Sequence, residues 1–167
     1  MKDGLITWPS PYAPHETLAR LLSEVTGRGL FIFAIIDHAQ AAKQAGLEMR
    51  PASVVIFGNP KGGTPLMQMA PTLAIDLPLK ALVWEDENGK TQLTYNRASW
   101  IARRHHLAVE DIDEEAWESE GGAIDHHPGD LFASDESLRP TADPLVAAIG
   151  KALADIARSV CRSDVAR

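Results

Sequence analysis

Short apolar runs alternate along the chain with stripes of hydrophobic residues at helical spacing. Residues 5–8 are all of types that favour or tolerate a strand, and prolines follow them, which predicts a short first strand. The next hydrophobic positions have the i, i+3, i+4, i+7 spacing of one helix face: Leu18, Leu21, Leu22 and Val25. Residues 30–36 are continuously apolar. This run predicts a strand that is buried on both faces or central in its sheet.

Capping residues divide the middle of the chain into further elements. Asp37 closes the apolar run and predicts a cap for a short helix over residues 38–45. Residues 52–57 predict a third strand, and Thr64 predicts the cap of a helix with Pro65 in its first position.

The dipeptide Asn88-Gly89 predicts a β-hairpin. Asn-Gly is preferred in a two-residue type I′ turn because both central residues need positive φ. That turn pairs the flanking residues in one register, with Glu87 opposite Lys90, Trp84 opposite Leu93 and Leu82 opposite Tyr95.

Two helices follow the hairpin. Asn96 predicts the cap of a helix that ends near His105, and Asp143-Pro144 opens a long final helix with a buried stripe. The hairpin makes the sheet at least partly antiparallel. The order of elements therefore predicts a single α+β domain, strand-helix-antiparallel strands-helix, with its helices packed on one face of a twisted, mainly antiparallel sheet.

Charge is concentrated in one stretch of the chain. Acidic residues outnumber basic residues 23 to 16, for a net charge of −7. Residues 105–138 contain no Lys or Arg, and they predict an acidic insertion at about 108–140, before the C-terminal helix. The acidic balance disfavours a general nucleic-acid binder, which needs a basic face.

The chain shows no sign of export or of membrane insertion. It has a single cysteine, which excludes an intrachain disulfide and a zinc site built on cysteines. Its first residues lack the apolar stretch of a signal peptide, and its longest apolar run is far too short to span a bilayer. We therefore expect a soluble cytoplasmic protein that binds neither nucleic acid nor membrane.

Several long segments, in order, resemble the domain-of-unknown-function 302 family. They are ITWPSPY, ETLARL, FAIIDHAQAAKQAGLEMRP, FGNPKGGTPLMQMAP, IDLPLKALVWED and LTYN, and the similarity runs from about residue 4 to residue 107 and returns in the last helix. The resemblance implies a compact α+β domain similar to the TATA-box-binding-protein-like fold, and a homodimer. It implies no established activity, and the acidic insertion departs from the family pattern.

A glycine-rich segment after the third strand predicts a ligand site. Asn59, Lys61, Gly62, Gly63 and Thr64 lead into a helix N-terminus, where unpaired N–H groups and the helix dipole favour an anion. The alternative is a tight connection in which Thr64 only caps the helix. The segment lacks the Gly-Lys-Ser/Thr ending of a P-loop.

Three further residues extend this predicted site. Asp37 and His38 follow the apolar strand, where an Asp can orient an imidazole as a general base, or where Asp37 only caps a helix. Lys80 lies on an apolar strand face, so its ammonium group either enters a pocket or reaches solvent. We expect the segments around residues 37, 61 and 80 to meet at a common rim.

The histidine doublets do not predict a metal site. Adjacent histidines such as His105-His106 and His126-His127 rarely point the same way, and no third ligand follows at helical spacing. The sequence identifies no cofactor.

Three hypotheses of function remain open from the sequence. The first is a domain that binds a small anionic or amphipathic ligand at Asn59, Lys61, Gly62, Gly63, Thr64 and Lys80. The second is an enzyme that uses Asp37 and His38 as a general-base pair. The third is a structural homodimer or a module that docks a partner.

Overall fold

A computed structural model describes residues 4–109 and 142–163 of the chain. Its strands form one antiparallel five-stranded sheet in the order β1-β5-β4-β3-β2. The strands are β1 (Leu5–Pro9), β2 (Phe31–Asp37), β3 (Ala52–Gly58), β4 (Leu79–Glu85) and β5 (Thr91–Asn96). The helices are α1 (Pro14–Gly27), α2 (His38–Gln44), α3 (Pro60–Met69), a 3-10 helix (Pro71–Ile75), α4 (Ala98–Arg104) and α5 (Asp143–Cys161).

Helices α1 and α5 cover one face of the sheet. Their predicted stripes supply Leu21, Val25, Leu153 and Ile156, each at most 3% exposed, which pack with inward-facing strand residues such as Phe57. Burial of such side chains stabilises the fold by about 25 cal/mol per Å² of apolar surface. The α+β architecture with helices on one sheet face is confirmed.

A second, smaller core lies beside the sheet. It joins α3, the 3-10 helix, α4 and the first half of α5 through buried residues that include Leu66, Leu73, Ile101 and Val146. This core supports the segment that leads into β4, and that segment forms part of the site described below.

Strand β2 is an edge strand, so the prediction of a strand that is buried on both faces or central in its sheet is wrong. β2 pairs with β3 alone, and its register shifts between Ile32 and Ala34. Large apolar side chains along it are 41–59% exposed: Phe31, Phe33, Ile35 and Ile36. A continuous apolar run marks a strand, but it does not reveal how many neighbours that strand has.

The β4–β5 hairpin forms, but its predicted register is wrong by one residue. Trp84 lies opposite Gln92 instead of Leu93, and the other predicted pairs shift with it. Because side chains alternate across a sheet, the shift leaves Trp84 on the face that the helices do not cover. Leu93 and Tyr95 instead lie in the core.

Asp86 causes this shift. Its carboxylate accepts hydrogen bonds from the N–H groups of Asn88 and Lys90, each 2.9 Å long, and its own N–H donates to the Lys90 carbonyl. Residues 87–89 therefore form a three-residue loop, with Gly89 at φ +73°. The hydrogen bond from the Lys90 N–H is the largest cause of the lowered pKa of Asp86.

The single cysteine lies at the end of α5. Cys161 is half-buried, its thiol hydrogen-bonds with Ser10, and burial raises its pKa to about 11. Ser10 in turn hydrogen-bonds to the buried Thr17 at 2.7 Å. The thiol therefore belongs to a small hydrogen-bond network that connects α5, α1 and the end of β1.

The predicted acidic insertion lies almost wholly outside the described residues, as do His126 and His127. Among the residues that the structure describes, no helix combines the length and the apolar character that a bilayer crossing requires.

Candidate functional site

An apolar cavity of about 450 Å³ lies against the helix-covered face of the sheet. Its walls come from α3, α5, the start of β4, the end of β3 and the neighbouring part of β2. Of the described side chains that line it, only Asn59 and Thr64 are polar. The apolar ones are Leu30, Phe33, Phe57, Pro60, Met67, Leu77, Pro78, Leu79, Leu145, Ala148, Ile149, Ala152, Leu153 and Ile156.

Helix α3 begins one turn earlier than the sequence predicted. Asn59 is its N-cap, Pro60 occupies its first turn, and Pro65 lies inside the helix. Thr64 is therefore not the cap. The expected glycine-rich loop is instead the first turn of a helix, because proline fits that position better than it fits the interior.

The first-turn N–H groups of α3 are occupied within the protein. The Asn59 side-chain oxygen accepts from the Lys61 N–H at 3.0 Å. The Asn59 carbonyl accepts from the N–H groups of Gly62 and Gly63 at 3.0 and 3.1 Å. Pro60 has no N–H to offer. This helix start therefore offers little to an anion, since the donors that would bind one already have acceptors.

The two predicted lysines lie outside the cavity wall. Lys80 is half-buried, and its ammonium group donates to the carbonyls of Asp76 at 2.7 Å and Pro78 at 3.2 Å. Its neighbour Leu79 lines the cavity, so alternation directs Lys80 to the other face of the sheet. Lys61 is exposed, in the same helical turn as lining residues of α3.

A second, polar cavity of about 900 Å³ lies between α1, α2 and residues 47–51. Asp37 lines this cavity and caps α2 by accepting from the Gln40 N–H at 2.9 Å, as predicted. His38 is exposed and lines neither of the two cavities. The structure thus does not bring residues 37, 61 and 80 to one rim, and of the Asp37–His38 pair only Asp37 lines one of these two cavities.

Sequence reasoning missed most of the cavity wall. Leu145, Ile149, Leu153 and Ile156 of α5 line the cavity, although their spacing predicted only a buried helix face. The same stripe of α5 packs in the core and also lines the cavity. The signal was present, but periodicity does not distinguish a packed neighbour from a hollow.

A buried histidine supports the segment that forms one side of the cavity. His105 Nε2 lies 2.7 Å from the Asp76 carboxylate, and Nδ1 lies 2.9 Å from the Thr72 hydroxyl. Arg104 adds an ion pair with Asp76 at 3.3 Å. These contacts join α4 to the residues just before Leu77, which lines the cavity.

The described residues contain no group of His, Cys, Asp and Glu side chains suited to hold a metal ion. Within the doublet His105-His106, the first ring is buried and the second is exposed, as expected for adjacent residues at a helix end.

Comparison with known proteins points to one family. A family model described as Domain of unknown function DUF302 matches residues 6–120. A solved structure described as an uncharacterized conserved protein DUF302 from Bacillus stearothermophilus is similar in fold, with a TM-score of 0.68 and 16% sequence identity. The similarity covers 95% of this chain and 98% of that one.

Curated relatives match a shorter region. Proteins called Fluoride-specific ion channel FluC 1 from Brucella suis and Brucella abortus are each 43% identical to this chain over 107 residues. The match covers 64% of this chain but only 42% and 40% of those proteins. The chain thus spans about two fifths of their length.

Proposed function

The chain belongs to the DUF302 family, and we propose that it binds a small apolar or amphipathic molecule in the apolar cavity. The observation that carries this proposal is a hollow of about 450 Å³ whose lining is apolar apart from two uncharged polar side chains. Ligand pockets usually have volumes of about 300–1,000 Å³ and combine apolar walls with few polar groups.

The energetics favour a ligand with an apolar body. An apolar molecule that leaves water for these walls gains about 25 cal/mol for each Å² that it buries. A bare anion would gain little, because the N–H groups at the start of α3 are already bonded to Asn59. A polar head group can lie beside Asn59 and Thr64, with the exposed Lys61 in the same turn.

The test uses 1-octanol as a neutral amphipathic probe and inorganic phosphate as a bare anion. We expect octanol to raise the Tm by about 5–10 °C at a concentration near 100 times its Kd. Phosphate at equal concentration is expected to leave the Tm unchanged. A Tm that responds to phosphate and not to octanol would overturn the proposal.

A matched pair of variants locates the probe. Ala148 is exposed and lines the cavity, while Ala19 is exposed on α1 and lines neither cavity. Ala148→Trp should abolish the octanol shift by obstructing the cavity, and Ala19→Trp should preserve it. Equal loss in both variants would mean that octanol binds elsewhere.

The fluoride activity in the names of the Brucella relatives is not part of this proposal. The matched region is less than half of those proteins. Fluoride is a small, strongly hydrated anion that needs several donors or a cation, and the polar side chains in the described lining of the apolar cavity are only those of Asn59 and Thr64, both uncharged.

A second candidate function is docking through the exposed edge of β2, as a homodimer or with another partner. Four large apolar side chains lie along this strand with 41–59% exposure. Proteins usually protect an edge strand with charge, proline, a bulge or a cover. Strand β2 has a register shift between Ile32 and Ala34 and a terminal Asp37, but it carries no lysine, arginine or proline. Sedimentation equilibrium tests this candidate. We expect reversible association that Phe31→Lys abolishes, and a wild-type monomer at all concentrations would contradict the homodimer.

A further inference from the structure

We propose that Thr72, His105 and Asp76 form a separate site for acyl transfer from small esters, as nucleophile, general base and orienting carboxylate. Thr72 belongs to the 3-10 helix, Asp76 follows that helix directly, and His105 directly follows α4. None of the three lines either of the cavities described above. This site therefore exists independently of ligand binding in the apolar cavity.

The three side chains form a continuous chain of hydrogen bonds. Thr72 Oγ1 lies 2.9 Å from His105 Nδ1, and His105 Nε2 lies 2.7 Å from Asp76 Oδ2. An ionised carboxylate only accepts hydrogen bonds, so Nε2 carries a proton and donates. In the neutral imidazole, Nδ1 then accepts from the Thr72 hydroxyl. A hydroxyl bonded to a base that a third group orients is the arrangement of an activated nucleophile.

The exposure of the three side chains suits these roles. Thr72 is exposed, so its hydroxyl oxygen is accessible to a substrate carbonyl. The side chains of His105 and Asp76 are only 7% and 16% exposed, so the fold holds the base in one orientation behind the nucleophile. Arg104 forms an ion pair with the same carboxylate at 3.3 Å. Its positive charge favours the negative charge that develops on the substrate oxygen.

An exposed isoleucine beside Thr72 indicates the class of substrate. Because a 3-10 helix has three residues per turn, side chains at i and i+3 lie on the same side of it. Ile75 is three residues after Thr72 and 74% exposed. The acyl chain of an ester that reacts at Thr72 can contact this side chain. We therefore expect esters of short apolar acids, with butyryl preferred over acetyl.

The reaction needs no cofactor and no redox partner. Thr72 Oγ1 bonds to the carbonyl carbon of the ester while its proton passes to His105 Nδ1. The bond from that carbon to the alcohol oxygen breaks, and Nδ1 returns the proton to the departing alcohol. Water then attacks the acyl-threonine and gives a proton to Nδ1. The acid departs as this proton returns to the Thr72 oxygen.

The experiment compares three forms of the full chain with 4-nitrophenyl butyrate as substrate. Thr72→Val keeps the branched shape but removes the hydroxyl, and it should lower kcat/KM by about 100-fold, the effect of losing acid–base assistance to a nucleophile. Thr72→Ser keeps a hydroxyl and should remain active. Exposed imidazoles such as His38 and His106 react slowly with such esters in all three forms, so they set the same background.

A threonine on another helix gives the matched control. Thr26 is exposed on α1, and its hydroxyl donates to the carbonyls of Leu22 at 2.9 Å and Ser23 at 3.1 Å. Thr26→Val should therefore leave kcat/KM unchanged. Ile75→Ser should lower the ratio of butyrate to acetate hydrolysis by about twofold or more, because the acyl chain loses an apolar contact.

Asp76 is a positioning residue, and its test reads the proton on the imidazole. Asp76→Asn replaces a pure acceptor by an amide that can also donate to Nε2, which leaves the proton on Nδ1. Nitrogen-15 NMR of His105 should show this change of tautomer, and kcat should fall with it. A role in folding alone would lower the Tm without changing the tautomer.

Two results would overturn the proposal. One is equal kcat/KM for the unmodified chain and a Thr72→Val variant whose circular dichroism shows that it is folded. The other is acid-quenched protein whose acyl group, located by peptide mass spectrometry, lies only on residues other than Thr72. An acyl group on Thr72 supports the proposal. Octanol binding should be the same in Thr72→Val and the unmodified chain, so the proposed function is tested separately.

Discussion

The two cavities lie on the same sheet face but differ in the charged side chains of their linings. The apolar cavity is lined by the core stripe of α5 and by Leu77–Leu79, with no charged side chain in its described lining. The polar cavity is open beside α1 and α2 and has five titratable side chains: His15, Asp37, Lys43, Glu48 and Arg50.

The difference shows that cavity volume alone does not identify a binding site. The polar cavity is the larger, at about 900 against 450 Å³, yet exposed side chains such as Leu47 and Met49 form part of its wall. A site needs walls that the fold holds in place. The apolar cavity has them where Phe57, Leu153 and Ile156, which are also core residues, form its wall.

The strongest test of this contrast removes a leucine from each wall. Leu153→Ala should destabilise the protein by about 2–5 kcal/mol, because Leu153 is 3% exposed and packs in the core. Leu47→Ala should change stability by about 0.5 kcal/mol or less, because Leu47 is 65% exposed. Urea unfolding measures both, and similar costs would mean that residues 47–51 are as well packed as α5.

A second test examines the helix cap at the polar cavity. Asp37→Ala should lower the free energy of unfolding by about 1 kcal/mol, because the Gln40 N–H loses its acceptor. Asp37→Asn keeps a capping oxygen, so it should lower the free energy of unfolding by only about a few tenths of a kcal/mol. Octanol binding should be unchanged in both variants. A weaker octanol affinity would show that the two cavities are not separate.

The smallest effect concerns the glycines of α3. Gly63→Ala should stabilise the protein by about 0.5–1 kcal/mol, because alanine favours the helix and its Cβ would meet Leu77 Cδ1 at an ordinary 3.6 Å. A Cβ added at Gly62 has no neighbour within 4 Å, so Gly62→Ala should raise the free energy of unfolding by a similar or smaller amount. Both glycines line the cavity, so each added methyl group should narrow it and weaken octanol binding measurably by calorimetry.

Local features of the fold were readable in the sequence. The stripes of α1 and α5 and the Asp37 cap each depend on residues within a few positions of one another. The α+β class followed from their order. Such features need no knowledge of distant partners.

The sequence did not reveal features that depend on competition between two local structures or on contacts between distant segments. Asn88-Gly89 favours a two-residue turn, but the Asp86 carboxylate binds two N–H groups and fixes a longer one. Asn59 and Thr64 are both residue types that cap helices, but in the structure Asn59 is the N-cap and Pro60 begins the helix. The cavity itself joins residues from Leu30 to Ile156, and no local pattern reports that proximity.

The hydrogen-bonded, half-buried Cys161 has a practical consequence for experiments. With a pKa of about 11, roughly one thiol in ten thousand is ionised at neutral pH, so alkylating reagents react with it slowly. Because the sequence holds no other cysteine, a cysteine introduced at the cavity entrance would be the fast-reacting thiol. A fluorophore attached there could report occupancy directly, without first replacing Cys161.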